Sequence, residues 1–226
     1  MQPYFNWSIF WKYLPILARS APITFAVVIA SIFLGAIIGL IMAAVRLSRS
    51  KILQFIGRIY VEIIRGVPFL VQVLWLFFGI TLFFGINLNP ITAGIFSLSL
   101  WSGAYFTEIF RGGILSIHQT QSYAAYSLGM TPKQAFYRII LPQAFKKMIP
   151  PCISQFITTT KSSAVLSVIN VPELTKRADA MSAALYAPFE IYLACGVVYF
   201  VILFAFFRLG KYAEKKLQAN TLQIEE

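Results

Sequence analysis

Three long apolar stretches of this chain contain no charged residue, and their lengths constrain its fold more than any other sequence feature. They cover residues 20–45, 66–107 and 191–207. A helix of about 20 apolar residues crosses the hydrocarbon core of a bilayer, so the first and third stretches each fit one helix. The second is long enough for two, and Asn89-Pro90 predicts a turn in its middle. Because 58% of the residues are hydrophobic and only 12% are charged, we predict an all-α membrane protein.

The predicted topology has five transmembrane helices, with the N-terminus outside and the C-terminus inside. We expect them at residues 22–46, 60–86, 90–112, 145–170 and 188–210. Most basic residues then lie on one side, which the positive-inside rule assigns to the cytoplasm. The net charge of +11 is therefore interpreted as a topology signal and not as a nucleic-acid-binding surface. These basic residues are Arg46, Arg49, Lys51, Arg58, Arg65, Arg111, Lys133, Arg138, Lys146, Lys147, Arg208, Lys211, Lys215 and Lys216.

Residues 1–226 are predicted to form a single transmembrane domain with its core at 20–215. Residues 1–19 are rich in aromatic side chains, which favour the headgroup level, and are expected to form an interfacial amphipathic segment with no removable signal peptide. An external loop at 171–187 can hold a short helix. In the first predicted helix, Gly35 and Gly39 either let another helix approach closely or are glycines tolerated for no packing reason.

The most informative motif lies in the predicted cytoplasmic loop at 113–144. Its central stretch reads YAAYSLGMTPKQAFYRIILP, from Tyr123 to Pro142. The small side chains of Ala124 and Ala125 would let a short helix seat closely in a groove on a partner. Gly129 can take a positive φ and end that helix.

A second short helix is expected to follow Gly129. Thr131 is the predicted N-cap and Pro132 the first helical residue. Leu141-Pro142 is expected to end this helix, because the residue before a proline disfavours the α region.

The spacing of this loop resembles the coupling loop of ABC importer permeases: Glu-Ala-Ala, three residues, Gly, nine residues, Ile, one residue, Leu-Pro. Other segments are similar to the branch of that family that handles polar amino acids (histidine, glutamate, glutamine, arginine and opines). These segments are RGVPFLVQ at 65–72, EIFRGG at 108–113, KSS at 161–163 and VPELT at 171–175. The resemblance covers about residues 20–215. It implies that the loop contacts an ATPase through Tyr123, Ala124, Ala125, Leu128, Gly129 and Pro142.

The chain departs from the family pattern at three positions. His118 stands where proline is usual, Thr120 where glycine is usual, and Tyr123 where glutamate is usual. The family glutamate would make a charged contact to the ATPase, so that contact is in doubt while the docking itself is still expected.

The fourth predicted helix carries a polar stripe. Ser154, Thr158 and Lys161 have helical spacing, and Gln155, Thr159 and Ser162 flank them. A polar face inside a membrane contacts protein or water, because lipid offers polar groups no partner. One hypothesis is that the stripe lines a translocation pathway, with Lys161 near the substrate carboxylate. The alternative is that Lys161 pairs structurally with a carboxylate on a neighbouring helix. The predicted pathway residues are Gln72, Ser154, Gln155, Thr158, Lys161 and Ser162.

The remaining polar residues have simpler interpretations. Glu108 and Arg111 have the spacing of an ion pair within one helix, as do Glu62 and Arg65. Gln72 either contacts substrate or packs. His118 is expected to be a solvated loop residue. The two cysteines, Cys152 and Cys195, have neither metal-site nor disulfide spacing and are predicted to be small buried hydrophobes.

The sequence has no phosphate-binding G-x-x-x-x-G-K-[ST] loop, catalytic triad or metal cluster, so the chain is not predicted to be an enzyme. The resemblance implies a permease subunit of the bacterial inner membrane that imports polar or charged amino acids, or derivatives such as cystine and opines. It implies a second permease copy, identical or paralogous, an extracytoplasmic binding protein, and ATPase subunits that bind ATP and Mg²⁺. One alternative is an ion-coupled carrier or channel, which is disfavoured because the middle of the predicted helices lacks acidic residues. The other is a scaffold that recruits a soluble partner.

Overall fold

The computed structural model of the protein describes residues 5–222, which are helical almost throughout. Ten α-helices follow one another in the described part of the chain. They are α1 (Trp7–Ala18), α2 (Ala21–Arg46), α3 (Lys51–Gly66), α4 (Phe69–Phe84), α5 (Pro90–Leu115), α6 (Gln119–Ser127), α7 (Pro132–Ala135), α8 (Leu141–Ser162), α9 (Leu174–Leu185) and α10 (Pro188–Leu222).

The centre of the fold is the tight pairing of α2 with α5. Gly35 of α2 lies so close to Ser102 that a β-carbon on the glycine would collide with the serine side chain, and Gly39 meets Phe106 in the same way. These two glycines are buried. The close-approach interpretation of this glycine pair is therefore confirmed.

The prediction of one continuous helix at 60–86 is wrong. Two helices, α3 and α4, meet there at an angle of 106°. Val67 has an extended backbone with φ −97° and ψ 136°, because the following Pro68 disfavours the helical region for it and brings no N–H. The side-chain Nε2 of Gln72 donates to the carbonyl oxygens of Ile64 and Val67, at 2.7 Å each, and so satisfies acceptors that the bend frees.

Two helices in the described part of the chain are long and apolar enough to cross a membrane: α2 and the Pro188–Tyr212 part of α10. The bent pair α3 and α4 adds a third if it counts as one span. The predicted helices at 22–46 and 90–112 agree with α2 and α5, and the one at 188–210 agrees with the beginning of α10. The prediction at 145–170 is only partly right, because α8 ends at Ser162 and residues 163–169 form a tighter 3₁₀ turn.

A second core joins the ends of the chain. Phe10 and Leu17 of α1 pack against Leu174 of α9 and Ile191 of α10. The predicted helix in the 171–187 loop is confirmed as α9. Beside that packed face of α1, Trp7 and Trp11 are exposed, which fits the amphipathic segment predicted there; its interfacial position stays a prediction.

Candidate functional site: a docking loop and a polar stripe

The candidate docking helix, α6, has a defined beginning. His118 is its N-cap, and the ring Nδ1 accepts a hydrogen bond from the Thr120 backbone N–H at 3.4 Å. The same ring nitrogen lies 2.9 Å from Thr120 Oγ1. His118 is exposed, as predicted, and the capping role was missed although a polar residue before a short helix could have indicated it.

The end of α6 is formed as the sequence predicted. Gly129 has φ +78°, in the left-handed region where glycine carries no β-carbon penalty. The backbone N–H of Met130 donates to the Ala125 carbonyl at 3.1 Å, and that of Leu128 donates to the Ala124 carbonyl at 3.2 Å. The last carbonyls of the helix are thus satisfied by the turn.

The outer side of α6 presents a docking face, which we define as Tyr123, Ala124, Ser127 and Leu128. All four are exposed, Tyr123 by 61% and Leu128 by 77%. Ala125 is fully buried, where α6 packs against α7 and the turn after it. The two alanines, which were predicted to act together, therefore differ: Ala124 faces outward, whereas Ala125 seats the helix on its own chain.

The predicted helix end at Leu141-Pro142 is wrong. After α7, which Thr131 and Gln134 cap reciprocally, the chain makes a π-helical turn at residues 136–140 and continues directly into α8. The Leu141 N–H bonds the Phe136 carbonyl, five residues back. This wider turn relieves the clash of the proline ring with the preceding helical turn and absorbs its missing N–H. Pro142 therefore lies inside a continuous helical segment.

The polar stripe predicted on the fourth helix is present on α8, and Lys147 at its beginning donates to the Ser116 carbonyl at 3.0 Å. Its exposed residues are Lys147, Pro151, Ser154, Thr158 and Lys161, which lie on one helical face. Thr158 Oγ1 donates to the Ser154 carbonyl at 2.9 Å, so its hydroxyl is satisfied along the helix.

Two flanking residues of that stripe lie elsewhere. Gln155 is only 6% exposed and its side-chain Nε2 donates to Thr159 Oγ1 at 3.2 Å. It therefore faces the interior of this subunit, and its place among the pathway residues is not supported by its orientation. Ser162 is half-buried at the end of α8.

The ion pairs of the described residues both involve Glu108. Arg111 Nη2 lies 2.7 Å from Glu108 Oε2, as predicted, and Arg46 of α2 contacts Glu108 Oε1. The predicted Glu62–Arg65 pair is wrong: the Arg65 guanidinium lies over the Tyr105 ring, 5.0 Å from its centroid. Lys161 has no ion pair within the described part of the chain, so the structural pairing proposed for it has no support here.

The contacts of Gln72 indicate whether it packs within the subunit or faces substrate. Its side chain is 9% exposed and its amide nitrogen is occupied by the two carbonyls of the α3–α4 bend. Of the two interpretations for this residue, the geometry favours packing.

Glu173 is a buried carboxylate that sequence reasoning passed over. It is the N-cap of α9 and has no exposed surface. Oε1 accepts the Lys176 backbone N–H at 2.8 Å, and Oε2 accepts the Tyr199 hydroxyl at 2.9 Å. Burial raises the pKa of this carboxyl above its usual value, and the hydrogen bonds oppose that shift.

The described residues include neither a disulfide nor a cluster of metal-ligating side chains. Cys195 is buried and Cys152 is half-buried, and neither forms a disulfide. Within residues 5–222, no group of three or more histidine, cysteine or acidic side chains is placed to hold a metal ion.

Comparison with known proteins decides the family. The sequence profile of the binding-protein-dependent transport system inner membrane component matches residues 35–219. The chain belongs to this family.

The relatives of this inner membrane component match over most of their length. The arginine transport system permease protein ArtQ of Bacillus subtilis strain 168 is 32% identical, with 92% of this chain and 94% of that protein covered. The glutamine transport system permease protein GlnP of Escherichia coli strain K12 is 33% identical, over 88% and 91%. The L-cystine transport system permease protein TcyB of Bacillus subtilis is 36% identical, over 92% and 88%.

Solved structures agree with these matches. A chain from the crystal structure of an amino acid ABC transporter with histidines is 34% identical and superposes with a TM-score of 0.89, covering 94% of this chain and 99% of that one. A chain of the MetNI methionine ABC transporter, 18% identical with a TM-score of 0.74 over 91% and 96%, shares the fold. The predicted resemblance to ABC importer permeases is confirmed, and the chain is a transporter subunit and not an enzyme.

Proposed function

We propose that this chain pairs with a second permease copy to form the translocation pathway of an ATP-driven, binding-protein-dependent importer. Its substrates are polar or charged L-amino acids or close derivatives such as cystine and opines. Relatives named for arginine, glutamine and cystine transport support this substrate class. The second copy is either identical or paralogous.

The observation that carries the proposal is the docking face on α6. Tyr123, Ala124, Ser127 and Leu128 stand exposed on a short helix that Gly129 ends at φ +78°. A partner ATPase that binds ATP and Mg²⁺ would receive this helix. ATP binding in the ATPase dimer would draw two such helices together and turn the pathway outward, and hydrolysis would reset it. In this permease family the cofactor chemistry belongs to the ATPase.

The exposed polar stripe of α8 supports the proposal that this helix lines the translocation pathway. Ser154, Thr158 and Lys161 need water or protein beside them at membrane depth, and a second copy would enclose that water. In this proposal Lys161 lies near the substrate carboxylate.

The proposed topology has five membrane passages in one domain, with α3 and α4 together counted as one, and the N-terminus outside. The positive-inside distribution of basic residues supports this orientation. It puts α6 in the cytoplasm with the ATPase and α9 on the external side, where an extracytoplasmic binding protein would deliver substrate. The chain would act in the bacterial inner membrane.

A matched pair of tyrosines tests the docking face. Tyr123 is 61% exposed on α6, and Tyr186 is 93% exposed between α9 and α10, on the proposed external side. Tyr123→Asp should reduce co-purification of the ATPase with the tagged permease, whereas Tyr186→Asp should not. Equal recovery of the ATPase with both variants would overturn the assignment of the docking face.

A further inference from the structure

A second polar face, on α3, is not explained by packing. Its residues have helical spacing and are all exposed: Lys51, Gln54, Arg58, Glu62 and Arg65. The helix packs on its neighbours through Gly57 and Val61. A third, apolar face is also exposed and includes Ile52, Ile56, Ile59 and Ile63. Two exposed faces of opposite chemistry on one helix indicate two different surroundings.

The polar face reaches deep into the proposed membrane region. Tyr60 donates its hydroxyl to the Leu100 carbonyl at 2.7 Å, and the Arg65 guanidinium lies 5.0 Å from the Tyr105 ring centroid. Tyr105 lies about 4 Å along the helix axis from the midpoint of α5, at a rise of about 1.5 Å per residue. The hydrocarbon half-thickness is about 15 Å, so Arg65 is anchored close to the middle of the span. Its place among the cytoplasmic basic residues of the predicted topology is therefore wrong.

Arg65 is also held in place. Tyr105 packs on Trp101 with ring centroids 4.6 Å apart, and Trp101 packs on Phe69 at 5.2 Å. Phe69 begins α4, directly after the bend that Gln72 closes. The guanidinium therefore rests on an aromatic stack at a broken helix.

Arg65 has no carboxylate partner among the described residues. A cationic group at that depth is costly unless it faces water, a counter-charge or a ligand. Its aromatic support leaves the N–H groups at the rim of the guanidinium available, and a guanidinium fork matches a carboxylate with two parallel hydrogen bonds.

We infer that Arg65 binds the carboxylate of the amino acid in transit, and that the polar face of α3 lines the pathway together with the polar stripe of α8. The inference rests on the proposed function and deepens it, because it names a residue that binds the carboxylate, the group that all amino acid substrates share. The apolar face of α3 then contacts lipid or the second copy.

Cysteine accessibility tests this placement directly. In a chain whose native cysteines are replaced by alanine, Arg65→Cys should react with the membrane-impermeant reagent MTSES in inside-out vesicles. Ile63→Cys, on the apolar face of the same helix and 58% exposed in the subunit, should react far more slowly. Equal reactivity, or no reaction at Arg65→Cys, would overturn the inference. The measurement needs no ATPase, so its result is independent of whether the docking face is correct.

Protection from the reagent tests the ligand chemistry. With Arg65 intact, millimolar L-arginine, L-glutamine and L-histidine, added together, should slow the modification of Glu62→Cys, which lies on the same exposed face of α3 one turn away. The matching amines without a carboxylate, agmatine, 4-aminobutanamide and histamine, should not. Protection by both sets, or by neither, would contradict carboxylate binding.

Uptake by the complete transporter gives the residue-level test. Arg65→Gln should lower kcat/KM by about 10- to 100-fold, as expected for a lost charged hydrogen bond, and Arg65→Lys should recover part of that loss. Arg49→Gln, in the exposed loop after α2, is the matched control and should transport normally. Normal uptake by Arg65→Gln with an intact complex would refute the assignment.

Discussion

Replacing Gly129 separates the backbone geometry of the docking loop from its side-chain contacts. A β-carbon at this position would meet no heavy atom within 4 Å, so a β-carbon there causes no steric clash within the chain. The cost comes from φ +78°, which a residue other than glycine adopts at about 1–2 kcal/mol. Gly129→Val should therefore weaken ATPase docking by about 5- to 30-fold.

The assay is a titration of the ATPase against the permease in lipid nanodiscs, read as Kd. Gly129→Asn should bind much more tightly than Gly129→Val, because asparagine tolerates the left-handed region. Gly112→Val is the control, since Gly112 is an exposed helical glycine that also has nothing within 4 Å. Unchanged affinity for Gly129→Val, or equal losses for valine and asparagine, would refute the argument.

Three further predictions follow from the packing, the buried carboxylate and the stripe. Gly39→Leu should lower the thermal unfolding midpoint, because its side chain would meet the Phe106 backbone and overpacking costs about 1–3 kcal/mol; Gly112→Leu should change it little, and equal midpoints would contradict the close packing. The raised pKa of Glu173 means that the folded state binds this proton more tightly, so its contribution to stability falls as pH rises from the unfolded towards the folded pKa. Wild type should therefore gain stability over Glu173→Gln as pH is lowered from neutral towards the ordinary glutamate pKa of about 4.3, and parallel pH profiles would contradict this sign. Lys161→Ala should reduce amino acid uptake without loss of ATPase docking; lower expression with intact substrate affinity and coupling would instead support a structural role.

The helices that could be predicted are those whose limits depend on local chemistry. The charge-free run ending at Arg46 sets the length of α2, and Asn89-Pro90 marks the beginning of α5. Gly129 was predictable because a single residue type suits the left-handed turn. At the turn that ends α6, local residue preferences and the observed structure agree.

The errors arise where the tertiary structure decides. Pro68 carried the signal for the bend between α3 and α4, but the apolar run around it looks continuous, and only Gln72 in the fold shows how the freed carbonyls are satisfied. At Leu141-Pro142 the same proline chemistry predicted a stop, and the π-helical turn absorbed it instead. Sequence spacing also paired Arg65 with Glu62, because spacing within a helix does not reveal Tyr105 on another one.

The central claim is that this chain couples an amino acid pathway to a separate ATPase. Its most direct test is purification of the tagged chain from native membranes in mild detergent, with every co-eluting chain identified. The account predicts an ABC ATPase and an amino-acid-binding protein in the eluate, and a paralogous permease there would identify a heterodimer. A chain that elutes alone or only with itself would contradict the account and favour a carrier or channel that needs no ATPase.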